Sequence, residues 1–451
     1  TYFLVLIGVL LILLGITLLT QIAAKGKGIG GKIFCILICI ILGVGSFYIG
    51  KVNNAFQKIT GSNKKTSSMV VAVKADDNAD TLSAAAGYTF GVQYATGGDQ
   101  TKSAVKQIEK ELGQNITLQE YSNLGEEAQA LYDGEVDAII YNSAYSNIIK
   151  EQYSTFTKDT KVIYKHNIVV EIESDTSDES VTKPFAVYLS GIDTNGDITE
   201  QGRSDVNIVA VVNPTSHQVL LITTPRDYYV PIPGVSGGQD DKLTHAGIYG
   251  VDVSMQTLEE LYDTDIEFFG RVNFTSMTSV VDALGGLDVE SDLEFDTGWE
   301  SGAEIHVNEG MNHFDGISAL AFCRERQALP DGDNGRGVHQ QAVITAIIKK
   351  MMSPAMLRGA SDIIESVSDG VDTNFTSSQI QSLIKTQLRT NAKWNIYSVA
   401  ADGAGGTDIC YSSGGEDLYV TYPDENSVAE ISELIKKVKD GETIEGSVST
   451  E

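Results

Sequence analysis

The sequence predicts an α/β protein: a mixed central sheet covered by helices, preceded by a small α/β accessory domain and a transmembrane helical hairpin. Three observations predict this architecture. Two long uncharged apolar runs occupy the first 50 residues. Strand-like and helix-like patterns alternate after them, and a short acidic segment divides the alternating region in two. A chain of 451 residues is long enough for two soluble domains and a membrane anchor.

The predicted anchor occupies residues 1–50. Residues 1–20 and 33–50 carry no charged side chain, and each run can cross a hydrocarbon core of about 30 Å. The loop between them has three lysines and no acid, which favours a cytoplasmic loop and an extracytoplasmic remainder. Two adjacent runs do not resemble one cleaved signal peptide. Because the chain begins at Thr1 rather than Met, we expect a further piece upstream.

The same loop contains a false match to a nucleotide-binding motif. Residues 26–32 fit the Gly-x-x-x-x-Gly-Lys start of a P-loop. The next residue is Ile33, where a P-loop has Ser or Thr, and no strand precedes the first glycine. The sequence therefore predicts no phosphate-binding loop at this position.

Residues 67–172 form the predicted accessory domain. Strand patterns alternate with helix patterns in it, at 70–73, 89–92, 103–112, 116–121, 123–132 and 137–141. This rhythm predicts a small parallel or mixed sheet with helices. The pattern resembles one lobe of an extracellular solute-binding protein. We see no catalytic constellation in it and expect a packing, partner-binding or polymer-contacting module.

An acidic linker, predicted at residues 173–184, separates the accessory domain from a catalytic domain at 185–440, which an acidic tail follows at 441–451. The catalytic domain contains strand and helix patterns at 185–192, 207–212, 218–223, 254–262, 275–284 and 337–352. Helices covering a central sheet are the architecture that this mixture favours.

The charge distribution separates two classes of ligand. A formal net charge of −29 argues against a nucleic-acid partner, because binding a duplex requires a basic surface. All eight arginines lie from Arg203 onward. Since arginine forms paired hydrogen bonds to phosphate and carboxylate, this concentration predicts a local anion site in an acidic protein.

Two carboxylates near the first strand of the catalytic domain predict a metal site. Asp193 follows that strand, and Arg203 and Asp205 lie two residues apart, so in extended backbone they point to one face. Mg²⁺ prefers one or two carboxylates together with waters and phosphate oxygens. A calcium loop of the EF-hand type is excluded, because Ile198 and Ser204 stand where such a loop has Gly and Glu.

Further basic and polar residues follow at element ends. Arg226 follows Pro225, which ends the third strand of this domain. If Asp333 caps the next helix, Arg336 lies in the first turn and Gln340 on the same face one turn later, where a helix N-terminus attracts phosphate. Two more arginines, at Arg324 and Arg326, share a face only if their backbone is extended.

In their order, these motifs resemble the LytR-CpsA-Psr family over roughly residues 184–355. The motifs that carry the resemblance are Asp193, Gly202-Arg203-Ser204-Asp205, Pro225-Arg226-Asp227, Lys242-Leu243-Thr244-His245-Ala246, Arg324-x-Arg326 and Asp333-x-x-Arg336-x-x-x-Gln340. Anchor and accessory domain are similar to those of capsule-regulator-like members.

The resemblance implies a role for each matched residue. Asp193 and Asp205 would hold Mg²⁺, with Mn²⁺ as an alternative. The pyrophosphate of a polyprenyl carrier would be bound by Arg226, Arg324, Arg326, Arg336 and Gln340. The matched residues expected to act in catalysis are Arg203, Arg226, Asp333 and Arg336. Arg203 would orient the acidic pair, and Asp333 would hold Arg336.

The implied activity is a phosphotransferase reaction. Its donor would be a polyprenyl-pyrophosphate-linked glycopolymer, such as teichoic acid or capsular polysaccharide, and its acceptor peptidoglycan. The protein would reside in the cell membrane of a Gram-positive-type bacterium, with its catalytic part extracytoplasmic. Two alternatives remain open: a non-enzymatic regulator or sensor of envelope polymer synthesis, and a polyprenyl-pyrophosphate hydrolase.

Two residue types in the soluble part leave open questions. Cys323 and Cys410 fit either a disulfide, if this part lies outside the cell, or two separate buried thiols. His245 lies within one of the family-like motifs, where we expect a structural hydrogen bond rather than catalysis. No Ser-His-Asp arrangement is visible in the sequence.

Overall fold

The structure is a computed structural model. It describes residues 15–16, 64–171, 181–192, 198, 200–330, 333–353, 370–413, 415, 417–444 and 448–449. Residues Gln57–Glu451 belong to one compact unit. Of the first predicted membrane span only Gly15 and Ile16 are described, and the second span lies outside the described residues. Among those that are described, no helix combines the length and apolar character needed to cross a membrane.

The first described region is a sheet with helices on it. Its strands are β1 (Lys64–Lys74), β2 (Thr89–Gln93), β3 (Thr117–Tyr121), β4 (Ala138–Asn142) and β5 (Thr160–Glu171). Its helices are α1 (Gly98–Leu112), α2 (Leu124–Asp133), α3 (Ser146–Gln152) and α4 (Phe156–Asp159). The strand order is β3-β2-β4-β1-β5, with β2 parallel to β3 and β4, and β1 antiparallel to β4 and β5.

Helix α1 begins earlier than its apolar pattern predicts. Gly97 precedes it with φ 68°, a conformation that glycine adopts without steric cost, and the chain turns into the helix there. Ala104, Val105 and Ile108 lie at helical spacing and are buried against the sheet. Gly113, with φ 66°, ends the helix in the left-handed conformation typical of a C-terminal cap.

The second sheet is mixed, which confirms the predicted α/β class. Its strands are β6 (Phe185–Ile192), β7 (Ser204–Asn213), β8 (Gln218–Thr223), β11 (Phe268–Asn273), β16 (Val371–Thr373), β17 (Asn395–Ala400) and β20 (Val448–Ser449). Their order is β16-β11-β6-β7-β8-β17-β20. The pairs β6–β7 and β7–β8 are antiparallel, and the pairs β6–β11 and β8–β17 are parallel.

Short strand pairs and helices surround this sheet. The remaining strands are β9 (Tyr229–Pro231), β10 (Asp240–Lys242), β12 (Leu287–Ser291), β13 (Phe295–Asp296), β14 (His306–Val307), β15 (Gly310–Phe314), β18 (Gly403–Ile409) and β19 (Asp417–Pro423). The helices are α5 (Leu243–Tyr249), α6 (Val251–Tyr262), α7 (Phe274–Ala283), α8 (Gly316–Arg324), α9 (Asp333–Met352), α10 (Ser377–Thr390) and α11 (Glu425–Asp440).

Alternating residues of β6 show how the sheet is covered on both faces. Ala186 and Tyr188 pack with residues of α5, α6 and α11 on one face. Phe185 and Val187 pack toward α9 and α10 on the other. Because successive strand residues point to opposite faces, a strand buried on both sides is a nearly continuous apolar run. Burying a side chain such as Phe185 stabilises the fold by about 1.5–3 kcal/mol.

An Asx turn connects β7 and β8. The Asn213 side-chain oxygen accepts hydrogen bonds from the backbone N–H groups of Thr215 and Ser216, at 3.0 and 3.1 Å. Such a bond to the backbone two residues on makes an Asx turn, and Asn213 then pairs with Gln218 to close the hairpin. The hairpin fixes the register of β7 against β8, which decides what meets at their far end.

The two cysteines of the described region are separate thiols. Cys323 and Cys410 are both buried and unbridged. They pack in different apolar clusters, Cys323 beside Phe322 and Cys410 beside Val420. Burial raises the pKa of the Cys323 thiol to about 12, so it behaves as a small apolar side chain.

Candidate active site

The ends of three strands of the second sheet meet at one edge. β7 runs antiparallel to β8, and Thr223 at the end of β8 pairs with Ile208, so the first four residues of β7, from Ser204, extend past that end. β17 runs parallel to β8 and ends at Ala400 on the same side. A small pocket opens there. Its described lining comprises Asp205, Thr223, Thr224, Pro225, Arg226, Arg336, Gly337, Gln340, Ala400 and Ala401.

An ion pair joins the first two predicted site residues in this pocket. Arg226 Nη1 lies 3.1 Å from Asp205 Oδ1, and both side chains are about one-fifth exposed. Arg226 Nε also lies 3.5 Å from Asp227 Oδ2. Lys242 Nζ lies 3.5 Å from the other oxygen of Asp227. The guanidinium is therefore held between two carboxylates and still lines the pocket.

Helix α5 supplies two further contacts to this pair. The Thr244 hydroxyl donates to Asp205 Oδ1 at 3.4 Å, and the Thr244 backbone N–H donates to the Arg226 carbonyl at 2.8 Å. Lys242 and Thr244 belong to the family-like motif at residues 242–246, and no individual role was predicted for either of them. In the structure, these two residues hold Asp227, Asp205 and Arg226 in place.

The N-terminal end of α9 closes the pocket from another side. Arg336 and Gly337 lie in its first turn, and Gln340, which is 8% exposed, follows one turn later. The predicted proximity of Arg336 and Gln340 therefore holds. Asp333 is the first residue of the helix, and the two residues before it lie outside the described part of the chain, so its expected capping role stays a prediction. Free N–H groups and the dipole at such an end favour an anion.

The Thr223 hydroxyl was not singled out from the sequence. This buried oxygen has no hydrogen-bond partner within the described part of the chain, and Thr223 lines the pocket. Because a buried hydroxyl without a partner is unfavourable, it is a group that a bound ligand would satisfy. No sequence signal marked Thr223, since it reads as the last residue of an ordinary strand.

The other three predicted arginines do not line this pocket. Arg203 is half-buried directly before β7. Arg324 ends α8, and Arg326 follows it in an exposed position. α8 packs on α9 through the stacked rings of Phe322 and His339, whose centroids are 3.9 Å apart. The arginine pair thus lies at the end of a helix that is packed against the helix carrying Arg336 and Gln340.

Glu325, between the two arginines, is a residue that sequence reasoning missed. Its buried carboxylate accepts hydrogen bonds from Gly298 N, Ser301 Oγ, Arg326 N and Ala328 N at 2.8–3.0 Å. Burial opposes its ionisation, but these bonds outweigh burial and lower the pKa of Glu325 to about 2. The ionised carboxylate fixes the backbone that follows α8, and so fixes the positions of Arg324 and Arg326.

The predicted metal ligands are only partly described. Asp193 lies outside the described residues. Asp205 Oδ1 accepts bonds from Arg226 and Thr244, whereas Oδ2 accepts none from the described residues. Those residues contain no cluster of three His, Cys, Asp or Glu side chains suited to a metal. One open carboxylate oxygen fits Mg²⁺, because this ion takes few protein ligands and keeps several waters.

A separate buried cluster lies on the other side of α5. His245 Nδ1 lies 2.7 Å from Asp241 Oδ1, and both side chains are fully buried. The Ser412 hydroxyl lies 3.1 Å from Asp241 Oδ1 and 2.9 Å from His245 Nδ1. Serine and aspartate therefore contact the same ring nitrogen, whereas a nucleophilic triad needs them on opposite nitrogens. The geometry agrees with the structural role expected for His245.

Comparisons with known proteins identify the family of this chain. A relative from Bacillus cereus (strain AH820), named polyisoprenyl-teichoic acid–peptidoglycan teichoic acid transferase TagU, is 34% identical over 253 residues, 56% of this chain and 77% of the relative. A relative of the same name from Enterococcus faecalis (strain ATCC 700802 / V583) is 36% identical over 203 residues, 45% of this chain and 65% of the relative.

The fold and the family model agree with these relatives. The crystal structure of protein gbs0355 from Streptococcus agalactiae is similar at a TM-score of 0.51 and 26% identity, over 61% of this chain and 94% of that one. The LytR_cpsA_psr family model matches residues 139–437, well over half of the chain. The protein is therefore a member of the LytR-CpsA-Psr family.

Proposed function

We propose that this protein transfers a polyisoprenyl-pyrophosphate-linked anionic glycopolymer onto peptidoglycan, and that the pocket at the end of β8 binds the pyrophosphate. One observation carries the proposal. The pocket combines the predicted side chains Asp205, Arg226, Arg336 and Gln340 with the Thr223 hydroxyl, which lacks a partner among the described residues. The predicted family and transferase class are confirmed by the family match and by relatives named as teichoic acid transferases.

The pocket chemistry suits a diphosphate ester. Two guanidinium groups, an amide and a helix N-terminus surround a small volume in a protein of net charge −29. A diphosphate diester carries two negative charges, which guanidinium groups bind through paired hydrogen bonds. Arg226 and Arg336 would bind phosphoryl oxygens, and Gln340 and Thr223 would donate further hydrogen bonds to them.

The reaction needs little chemistry from the side chains themselves. A hydroxyl oxygen of the acceptor glycan loses its proton to water or to the departing phosphate and forms a bond to the phosphorus that bears the glycopolymer, and the bond from that phosphorus to the lipid phosphate oxygen breaks. The lipid phosphate leaves, and charge spreads over the phosphoryl oxygens during the transfer. Fixed donors such as Arg226 and Arg336 stabilise this charge without reorganising.

Asp205, together with Asp193 outside the described residues, would hold Mg²⁺. When bound, this ion would neutralise phosphoryl charge. We further propose that the chain works at the outer face of a Gram-positive-type cell membrane through the predicted hairpin at residues 1–50. Uncharged runs and the lysine-bearing loop of that segment support this location.

Product analysis tests the proposal. The full chain in detergent is incubated with Mg²⁺, a polyprenyl-pyrophosphate-linked teichoic acid donor and peptidoglycan, and the products are identified by mass spectrometry. We expect glycan-linked polymer and polyprenyl monophosphate. Arg336→Ala should reduce this product at least about tenfold, because Arg336 lines the pocket, whereas Arg389→Ala, an exposed arginine on α10, should leave it unchanged.

Two outcomes contradict the proposal. Free polymer phosphate, formed equally with and without peptidoglycan, would identify a hydrolase. No conversion of any polyprenyl-linked donor, with polymer attachment intact in cells that carry Arg226→Ala, would favour the sensor.

A further inference from the structure

The accessory sheet is bonded to the segment that leads into Gly202–Asp205. Thr66 of β1 and Glu200 form a parallel β-bridge, and the Gln201 N–H donates to the Thr66 carbonyl at 3.1 Å. β5 pairs with β1 along its whole length on one edge. β4 pairs on the other edge only from Met69 to Val73. The backbone at Glu200 and Gln201 therefore extends the accessory sheet where β4 ends.

The Gln201 side chain makes a second link to the same sheet. Its amide oxygen accepts hydrogen bonds from Ser67 Oγ of β1 at 2.5 Å and from Asn142 Nδ2 of β4 at 3.3 Å. All three side chains are at most 5% exposed. Hydrogen bonds that are shielded from water restrain geometry more strongly than bonds at the surface, because breaking them leaves polar groups unsatisfied.

Helix α5 connects the accessory core to the same segment independently. Ile248 of α5 is fully buried in the apolar cluster formed by the accessory domain. Thr244, one turn earlier on the same face, donates to Asp205. Between them Gly247 lies so close to the segment that a Cβ atom there would be 2.6 Å from the Gly202 carbonyl oxygen and 2.9 Å from Ser204 N.

These contacts meet at the start of β7, where the positions of charged side chains would affect the proposed transfer. Ser204 is the first residue of β7, and strand ends open more readily than strand centres. Arg203 and Asp205 flank that strand start. Electrostatic stabilisation of a transfer reaction needs charged groups held to within about 0.5 Å of their working positions. Restraints on Gln201 and on α5 would supply that precision.

We propose that the accessory domain is a structural part of the transfer site, in which Ser67, Asn142 and Gln201 are positioning residues that hold Gly202–Asp205. The expected effect on the transfer rate rests on the proposed function. The restraint on residues 202–205 can be measured without it. The accessory domain then acts on the rate of transfer without contacting the donor.

Ser67→Ala tests the link, and Ser68→Ala is its matched control. Both serines are 2% exposed neighbours on β1, but the Ser68 hydroxyl donates to Asn167 of β5 instead of Gln201. Hydrogen exchange of the amides at 200–206 and transfer kinetics are measured on the full chain. Gln201→Met, which keeps the side-chain volume, is the second variant.

We expect Ser67→Ala and Gln201→Met to speed exchange at 200–206 about tenfold. They should lower kcat about five- to tenfold, with KM for the donor changed less than about twofold. Ser68→Ala should change neither exchange nor kcat, and all three variants should share one melting temperature within about 2 °C.

The inference is overturned if amide exchange at 200–206 is unchanged in both Ser67→Ala and Gln201→Met. It is also overturned if exchange is faster in these variants but kcat stays at the wild-type value. An equal fall in kcat in Ser68→Ala also overturns it, because the effect is then not specific to Gln201. If the wild-type chain fails to transfer polymer, the proposed function fails instead, and the exchange comparison alone decides whether the accessory sheet restrains the segment.

Discussion

Asp205 and Asp241 lie on two sides of helix α5, and their surroundings differ in how fully each carboxylate is satisfied. Asp241 is completely buried and bonded to His245, to Ser412 through its hydroxyl and backbone N–H, and to the Lys242 N–H. Burial opposes its ionisation, but these partners lower its pKa below the ordinary value. Asp205 is about one-fifth exposed and lines the pocket, and its Oδ2 accepts no hydrogen bond from the described residues.

The difference separates a structural site from the proposed transfer site. A carboxylate whose lone pairs are all used stabilises the fold and has nothing left to offer a ligand. The Asp205 carboxylate lines a pocket together with two arginines and a helix N-terminus, which fits the proposed binding of a substrate and a metal. Neighbouring residues of one helix, Thr244 and His245, serve these two carboxylates respectively.

The largest effect is expected at the proposed transfer site. Arg226→Ala removes a guanidinium that contacts Asp205 and Asp227 and lines the pocket. We expect transfer to fall about 100- to 1,000-fold, the loss typical of one fixed donor to a developing charge. Arg226→Lys keeps the charge but not the fork, so it should recover only part of the rate. Initial rates with a synthetic donor measure this, and a wild-type rate in Arg226→Ala contradicts the comparison.

The structural site should respond in stability instead. His245→Ala leaves the buried Asp241 without its ring partner, and we expect the free energy of unfolding to fall by about 2–3 kcal/mol. His306→Ala is the matched control, because His306 makes the same contact to Asp296 at 2.8 Å with both side chains mostly exposed. That change should cost less than about 0.5 kcal/mol. The free energy of unfolding is measured by urea denaturation. Equal losses in the two variants would contradict the expected difference between the buried and the exposed His–Asp pair.

A smaller effect on stability is expected at Glu325. Its carboxylate accepts several hydrogen bonds, as that of Asp241 does, but it lies between two arginines in the sequence. Its folded pKa of about 2 lies below the unfolded value of about 4.3. Its contribution is therefore complete above pH ~4.3 and is lost as the pH falls from there toward 2. Glu325→Gln should lower the free energy of unfolding by about 1–2 kcal/mol at pH 7, with the difference shrinking across that window.

Denaturation curves of wild type and Glu325→Gln between pH 2 and 7 check the pH dependence. Glu309→Gln, at an exposed glutamate between β14 and β15, provides the control and should follow the wild type. Parallel curves for wild type and Glu325→Gln would show that the Glu325 carboxylate does not hold the backbone beside Arg324 and Arg326.

The pattern of apolar, polar and turn residues along the chain predicted features that depend on residues close together in the sequence. The bounds of β6 and β8 match the predicted strands, because uninterrupted apolar runs end there at polar or turn residues. The meeting of Asp205, Arg226, Arg336 and Gln340 was also expected, since the first three stand at the ends of elements and Gln340 lies one helical turn after Arg336. The membrane hairpin and Asp193 stay predictions, because they lie outside the described residues, apart from Gly15 and Ile16.

Long-range partners could not be predicted in the same way. Ser412 joins Asp241 and His245 across more than 160 residues, and Gln201 joins Ser67 across 134. Neither serine differs locally from an ordinary surface serine. Glu325 and Thr223 were missed for a related reason, since their importance lies in which backbone groups surround them and not in their spacing. Such partners follow from strand order and packing, which a periodic pattern does not specify.

The most direct test of the account compares Asp205→Asn with Asp241→Asn in one assay. Transfer of labelled polymer is measured per folded molecule, with the folded fraction taken from the gel-filtration peak. We predict that Asp205→Asn loses at least about 100-fold in transfer with an unchanged melting temperature. Asp241→Asn should lose stability while each folded molecule keeps its rate within about threefold. The reverse result, an active Asp205→Asn and a folded but inactive Asp241→Asn, would contradict the account.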